Sequence, residues 1–144
     1  MDRYQFIDGV GVYFVTFTIT EWLPIFISEE PVKIITDSLL FCIQQKNLRV
    51  NAYVIMPNHI HLIVFDARFD NNNLQKTLGD FRKFTGRKIA DYCDKRLSKE
   101  LSDVLRCRDL EDRERQVWQP GWHAEGLASD KFLKQKMAYI HRIL

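Results

Sequence analysis

The chain has 144 residues, of which 46% are hydrophobic and 28% are charged, and its formal net charge is only +2. A chain of this length and hydrophobicity can bury a sizeable core in one ordinary domain, which excludes intrinsic disorder. Because the net charge is nearly neutral, the overall charge gives no argument for nucleic acid. Any such argument depends on local clusters of basic residues.

Cysteine usage and the N-terminal sequence indicate an intracellular protein. The three cysteines, Cys42, Cys93 and Cys107, form no C-x-x-C pair, so neither a disulfide framework nor a thiolate zinc site is predicted. No apolar run approaches the roughly 18 residues of a transmembrane helix, and the N-terminus lacks the apolar core of a signal peptide. We therefore expect a cytoplasmic location and no membrane partner.

The first part of the chain predicts a strand followed by a helix. Residues 11–20 are β-branched and aromatic, and from Val15 onward apolar side chains alternate with threonines, which is typical of a strand with one polar face. Ser28, with a capping hydroxyl, and the acidic residues after it are start signals for a helix that runs to about Asn47.

A hairpin that carries two histidines is predicted next. Residues 49–56 and 59–65 predict strands, and the two-residue Pro-Asn link between them favours an antiparallel pair. His59 and His61 lie two positions apart on the second strand, so their imidazoles share one face. Such a pair can bind a divalent ion, or it can be hydrogen-bonded in a core.

The second half of the chain predicts two helices around an irregular region. Residues 74–97 have helical periodicity, and residues 98–116 are charge-dense with mixed sign, as expected of a variable excursion with a short helix. Residues 117–123 form an aromatic-rich turn segment. Ser129 and Asp130 predict the cap of a final helix that runs to the end of the chain.

This order of elements predicts an α+β fold. Short hairpin links and few long parallel crossovers favour an antiparallel β-sheet with α-helices packed on it. A ferredoxin-like topology is the commonest compact arrangement of this kind. We therefore expect a single ferredoxin-like domain over residues 1–144.

The final helix carries a second candidate for chemistry, Tyr139. A tyrosine on a terminal helix is ordinarily a core or cap residue. A role as a nucleophile needs a group that activates the phenol or polarises its target, such as a metal ion. The histidine pair of the hairpin is the one feature of the sequence that offers such an ion.

The helix of residues 74–97 carries a cluster of four basic residues, Arg82, Lys83, Arg87 and Lys88. Lys83 and Arg87 are four positions apart and share one helix face. Such a face is either simply solvated or binds phosphates of nucleic acid.

The aromatic-rich segment is a second candidate for nucleic-acid contact. Trp118, Trp122 and His123 could stack on unpaired bases. A turn of this composition could equally close the end of a core, and we expect that role for Trp118.

Taken together, four motifs resemble the single-tyrosine HUH transposases of bacterial insertion sequences, and especially the REP-associated tyrosine transposases. Residues 54–63 (VIMPNHIHLI) resemble the metal-binding strand of that family, and residues 80–89 (DFRKFTGRKI) resemble its basic helix. Residues 117–123 (VWQPGWH) resemble the segment after its variable stretch. Residues 138–142 (AYIHR) resemble the start of its Tyr-Ile-His-x-Asn-Pro motif. The motifs span nearly the whole chain in the same order.

The resemblance implies a transposase that cleaves and joins single-stranded DNA, usually beside an imperfect hairpin. Tyr139 would attack a backbone phosphate and form a 5′-phosphotyrosine intermediate, while His59 and His61 would hold Mg²⁺ or Mn²⁺. The resemblance also implies a ferredoxin-like sheet. Since some members of the family are dimers, a homodimer is a further expectation. The expected DNA-binding residues are Arg82, Lys83, Arg87, Lys88, Trp122 and His123.

One position departs from the pattern of the family. Where the family has an Asn or Gln one helical turn after the tyrosine to complete the metal site, this chain has Ile143, which cannot coordinate a metal. Either the chain ends within the motif, or another group fills the place. Gln135, one turn before Tyr139, is the predicted substitute. The alternatives are His123 and Asn58.

Two rival hypotheses stay open beside the active transposase. In the first, the chain is a catalytically impaired relative that binds hairpin DNA without cleaving it, which predicts salt-sensitive binding and no covalent adduct. In the second, it is a small metal-binding protein of unrelated function, which predicts no affinity for DNA.

Overall fold

We describe residues 10–96 and 116–143 of a computed structural model of the chain. The β-strands are β1 (Tyr13–Thr18), β2 (Leu48–Met56), β3 (His59–Asp66) and β4 (His123–Gly126), and the α-helices are α1 (Glu29–Gln45), α2 (Asn71–Arg96) and α3 (Asp130–Ile143). The expected variable excursion lies almost wholly outside the described residues, as does Cys107.

The four strands form one antiparallel sheet in the order β2-β3-β1-β4. Up to β4 the chain alternates as βαββαβ, and the two central strands are β1 and β3, which is the ferredoxin-like arrangement. The predicted α+β fold class is therefore confirmed. Helix α3 follows as an additional element.

The two faces of the sheet are covered by different helices. Val15 of β1 and Leu62 of β3 are fully buried in the main core, together with side chains of α1 and α2. Phe14 and Ile63, which point the other way, form a smaller apolar cluster with Ile140 of α3. Because side chains alternate along a strand, successive residues of β1 pack alternately into the main core and into the smaller cluster.

The predicted hairpin is confirmed, and its turn is anchored to the rest of the fold. The backbone N–H of Phe26 donates to the carbonyl of Pro57 at 2.9 Å, and that of Ile19 donates to the carbonyl of Asn58 at 2.9 Å. The start of β3 is therefore fixed by contacts outside the hairpin. This matters because β3 begins with His59.

Three local features differ from the sequence expectation. Helix α1 begins where predicted, but the hydroxyl of Ser28 bonds to the phenol of Tyr92 at 3.0 Å and makes no capping bond. Helix α2 begins earlier than predicted because Asp70 accepts a bond from the N–H of Asn73 at 3.1 Å and so caps a longer first turn. Strand β4 was not predicted at all.

The expected core role of Trp118 is confirmed. Its indole is only 5% exposed, and its Nε1–H donates to the hydroxyl of Thr85 at 3.1 Å. The Trp-containing segment therefore closes the core beside α2. None of the described α-helices combines the length and the apolar composition that crossing a bilayer requires.

Asp66, at the end of β3, is a buried carboxylate that organises the loop into α2. One oxygen accepts from the side-chain amide of Asn73 at 2.6 Å, and the other accepts from the backbone N–H groups of Arg68 at 2.9 Å and Asp70 at 3.2 Å. Burial by itself raises the pKa of Asp66, but these hydrogen bonds outweigh burial and lower it below its ordinary value.

We expect Asp66→Ala to reduce the free energy of unfolding by about 2–3 kcal/mol, because three donors lose a charged acceptor in a buried place. Urea unfolding at neutral pH measures the change. Asp37→Ala is the control, because its exposed ion pair with Lys33 is screened by solvent and adds little to stability. Equal losses in the two variants would contradict this role of Asp66.

Candidate active site

The register of the sheet places the two histidines on the face that α3 covers. His59 pairs with Thr18 of β1, and His61 pairs with Thr16. Directly opposed residues in an antiparallel pair project to the same side, so the polar face predicted for the first strand meets the histidines. That face also carries Phe14, which contacts α3.

Both imidazoles are oriented through the same ring atom. Nδ1 of His59 donates to the side-chain oxygen of Asn58 at 2.7 Å, and Nδ1 of His61 is hydrogen-bonded to the hydroxyl of Thr16 at 2.9 Å. Each of these contacts leaves Nε2 as the remaining ring nitrogen. A partner on one ring nitrogen is how proteins orient a histidine that binds metal through the other.

The environment keeps the pair neutral at physiological pH. Burial lowers the pKa of His59. Burial, together with the charges of His59 and Lys136, lowers the pKa of His61 to about 4. The ring centroids lie 4.7 Å apart. Two neutral imidazoles so close together fit one divalent ion, because the metal-binding form of histidine is the neutral one.

Helix α3 brings Tyr139 to the histidines. The ring centroids of Tyr139 and His61 are 5.6 Å apart, and Phe14 contacts both rings, stacked on His61 at 5.0 Å and edge-on to Tyr139 at 6.3 Å. The next residue, Ile140, is buried in the smaller core and anchors the helix. Tyr139 itself is 41% exposed, so its phenol is accessible to a substrate.

Lys136 completes the cluster, and the sequence analysis missed it. Its Nζ atom lies 4.7 Å from the centroid of the Phe14 ring and 3.1 Å from a carboxylate oxygen of Glu125. The sequence spacing could have identified it. Lys136 precedes Tyr139 by three positions, and residues three apart lie on neighbouring parts of one helix surface.

Gln135, the predicted third metal ligand, is exposed on α3. The next residue, Lys136, lies beside Phe14 and Glu125, which are cross-strand partners. Along β1, this pair is two residues from Thr16, on the side away from His59. Among the described residues, no group of three His, Cys, Asp or Glu side chains is arranged to hold a metal. The role of Gln135 as a ligand stays a prediction.

His123 lies on the same face of the sheet as His59 and His61. It opens β4 and pairs with Thr16 from the side opposite to His61. It is exposed. The alternative of His123 as a ligand and the expectation that it contacts DNA both stay predictions.

The predicted basic surface lies on the other side of the sheet. Lys83, Arg87 and Lys88 are exposed on α2, which packs against the face opposite to the histidines. Arg82 is partly buried: its guanidinium donates to the carbonyl of Gln119 at 2.5 Å and lies over an aromatic ring of the main core. It therefore supports the Trp118 segment, and DNA contact by the four basic residues stays a prediction.

Trp122 is packed more closely than expected of a free stacking platform. It is partly buried against the main core, and its ring is edge-on to Phe17 with centroids 5.3 Å apart. Its predicted contact with DNA bases is not tested by this arrangement.

Two solved structures are similar to this one. A REP-associated tyrosine transposase bound to a REP hairpin has a TM-score of 0.61 at 14% sequence identity, over 97% of this chain and 70% of that one. A candidate transposase from Deinococcus radiodurans has a TM-score of 0.55 at 15% identity, over 99% of this chain and 97% of that one. This chain has the fold of these transposases.

The sequence gives no comparable match. No protein-family model matches it, and no curated protein matches it either. At 14–15% identity the likeness establishes a shared fold. The resemblance inferred from the four motifs is confirmed at that level.

The depressed histidine pKa values predict a pH-dependent stability. In the unfolded chain the histidines take up protons near pH 6.5, whereas folded His61 does so only near pH 4. The unfolded state therefore binds more protons between these values, and stability falls as the pH drops through this window. We expect a loss of about 2 kcal/mol from His61 between pH 6.5 and 4.5.

Urea unfolding at several pH values measures this loss. His61→Gln should flatten the dependence over the window, whereas His141→Gln, which changes an exposed histidine on α3, should keep it. The same slope in His61→Gln as in the wild type would contradict the assignment.

Proposed function

We propose that this protein is a DNA strand transferase that cleaves single-stranded DNA beside a hairpin, with Tyr139 as the nucleophile. The observation that carries the proposal is the approach of the Tyr139 ring to His61, at 5.6 Å between centroids, on a face where His59 adds a second imidazole. A phenol beside two neutral imidazoles suits a metal-assisted attack on a phosphate. The substrate class is supported by the similar transposase that is bound to a REP hairpin.

In the proposed reaction the phenolic oxygen of Tyr139 attacks the phosphorus of a backbone phosphodiester. A bond forms between these two atoms, and the bond from phosphorus to the 3′ oxygen breaks. The leaving oxygen takes the electron pair and a proton from solvent, while the phenol gives up its proton to solvent, to which it is open. The products are a 5′-phosphotyrosine and a free 3′-hydroxyl. Attack on the phosphotyrosine by another 3′-hydroxyl reverses the step and joins strands.

The proposed ligands of Mg²⁺ or Mn²⁺ are the Nε2 atoms of His59 and His61. When bound there, the ion supplies Lewis-acid polarisation of the phosphate and offsets the charge that develops on its oxygens. Thr16 and Asn58 hold the rings in place through Nδ1. Gln135 would be a further ligand. Mg²⁺ needs few protein ligands, because it keeps several water molecules.

The second candidate function is hairpin binding without cleavage. It is favoured by the sequence, since Ile143 stands at the position where the resembling family has its third ligand, and an aliphatic residue cannot coordinate a metal. In this case the same surface binds DNA, but the phenol does not react. The two candidates share the fold and differ in one product, the covalent adduct.

The test is adduct formation. Hairpin oligonucleotides with single-stranded flanks, taken from palindromes in the DNA around the coding sequence, are incubated with the protein and Mn²⁺. We expect a covalent complex that denaturing electrophoresis resolves and that peptide mass spectrometry locates on Tyr139. Tyr139→Phe should lower the yield by at least about 1,000-fold, because no other group replaces the nucleophile.

Tyr53→Phe is the matched control, since Tyr53 is a similarly exposed tyrosine, at 45% against 41%, on the opposite face of the sheet. It should form the adduct as the wild type does. An adduct that persists in Tyr139→Phe would overturn the assignment of the nucleophile. Salt-sensitive binding of the same oligonucleotides with no adduct in any variant would favour the second candidate.

A further inference from the structure

Lys136 differs from a simple surface lysine, because it contacts side chains of the candidate active site. Its ammonium group contacts the ring of Phe14, the same ring that stacks on His61 and meets Tyr139 edge-on. A cation over an aromatic face is held there by the negative potential of the ring. One aromatic side chain thus connects a positive charge, a candidate metal ligand and the candidate nucleophile.

Glu125 explains how this charge is held in the absence of substrate. It is the cross-strand partner of Phe14 on β4, so its carboxylate projects from the same face of the sheet and reaches the ammonium of Lys136 at 3.1 Å. Both side chains are partly exposed, at 33% for Lys136 and 39% for Glu125. An ion pair that solvent reaches in this way is weak and exchangeable. A phosphate can therefore replace the carboxylate.

The proposed reaction needs a positive charge near the phosphate. The phosphate under attack carries a negative charge that spreads over its oxygens in the transition state. Lys136 is the cation that the described contacts place beside the two histidines, through the ring of Phe14.

We propose that Lys136 is a phosphate-binding residue of this site, which leaves Glu125 when DNA binds and contacts a non-bridging oxygen of the phosphate that Tyr139 attacks. Glu125 then acts as a competitor that keeps the lysine in position until DNA arrives. No proton is transferred in this step, since the ammonium group only exchanges one anion for another. The inference rests on the proposed function, because it deepens the account of the same site.

The first test measures binding without chemistry. In a Tyr139→Phe background with EDTA, fluorescence anisotropy follows a labelled hairpin oligonucleotide with a single-stranded flank. We expect Lys136→Met to weaken binding by about tenfold and to reduce the slope of log K against log salt by about 0.7. Lys134→Met removes the same charge from an exposed position of the same helix and should have a much smaller effect.

Glu125→Gln separates this proposal from a merely structural ion pair. If Glu125 competes with phosphate, its neutralisation should tighten DNA binding, whereas Lys136→Met weakens it. If the pair only ties α3 to β4, both variants should shift binding in the same direction. Changes in the same direction, or equal effects of Lys136→Met and Lys134→Met, would overturn the proposal. Lys136→Arg should restore most of the affinity.

The second test follows adduct formation in variants that keep Tyr139. If the wild type forms the adduct and Lys136→Met forms it at the same rate, the role of Lys136 is wrong while the proposed function stands. If the wild type forms no adduct, the proposed function fails, and the binding test still decides whether Lys136 contacts phosphate. Should Lys136→Met not fold, the direction of the Glu125→Gln effect alone decides.

Discussion

The pairing register of β1 with β3 is the constraint on which the site depends. It sets Thr16 opposite His61 and Thr18 opposite His59, so both imidazoles face α3 and one of them gains its hydrogen-bond partner. A shift by one residue would turn the histidines into the main core and expose Leu62, because side chains alternate strictly along a strand. The fully buried residues on the other face of the two strands hold the register. The chemistry is therefore positioned by apolar packing on the opposite side.

The second constraint is the small core under α3. This helix is joined to the sheet through a few apolar side chains around Phe14 and Ile140, which fix the rotation of the helix and with it the direction of Tyr139. Phe14 also contacts His61 and Lys136. One aromatic residue therefore sets the relative positions of the phenol, an imidazole and a positive charge. Its packing role and its part in the site cannot be separated.

Much of the fold could be predicted from local sequence patterns. The periodicity of the helices, the hairpin and the shared face of His59 and His61 are properties of short segments, and the order of segments then favours a ferredoxin-like sheet. Strand β4 escaped prediction because four residues that include Glu125 and Gly126 lack alternation long enough to recognise, and only pairing with β1 makes them a strand.

The site was predictable in part. The sequence identified the histidines and Tyr139, but their proximity depends on how α3 crosses the sheet, which no local pattern specifies. For the same reason the sequence could not show that Arg82 bonds to the backbone of Gln119 or that Lys136 joins the cluster. Long-range contacts decide whether a charged residue supports the fold, contacts a ligand or is simply solvated.

The central claim is that His59 and His61 hold a divalent ion beside Tyr139. The most direct measurement is an NMR titration of the protein, labelled at its tyrosine rings, with Mn²⁺, which broadens signals of nearby nuclei. The account predicts that substoichiometric Mn²⁺ strongly broadens the Tyr139 signals, because the broadening falls steeply with distance from the ion, and that this effect is lost in His59→Ala and His61→Ala but kept in His141→Ala. Broadening that does not depend on the two histidines, or Tyr139 signals that stay sharp as Mn²⁺ binds, would contradict it.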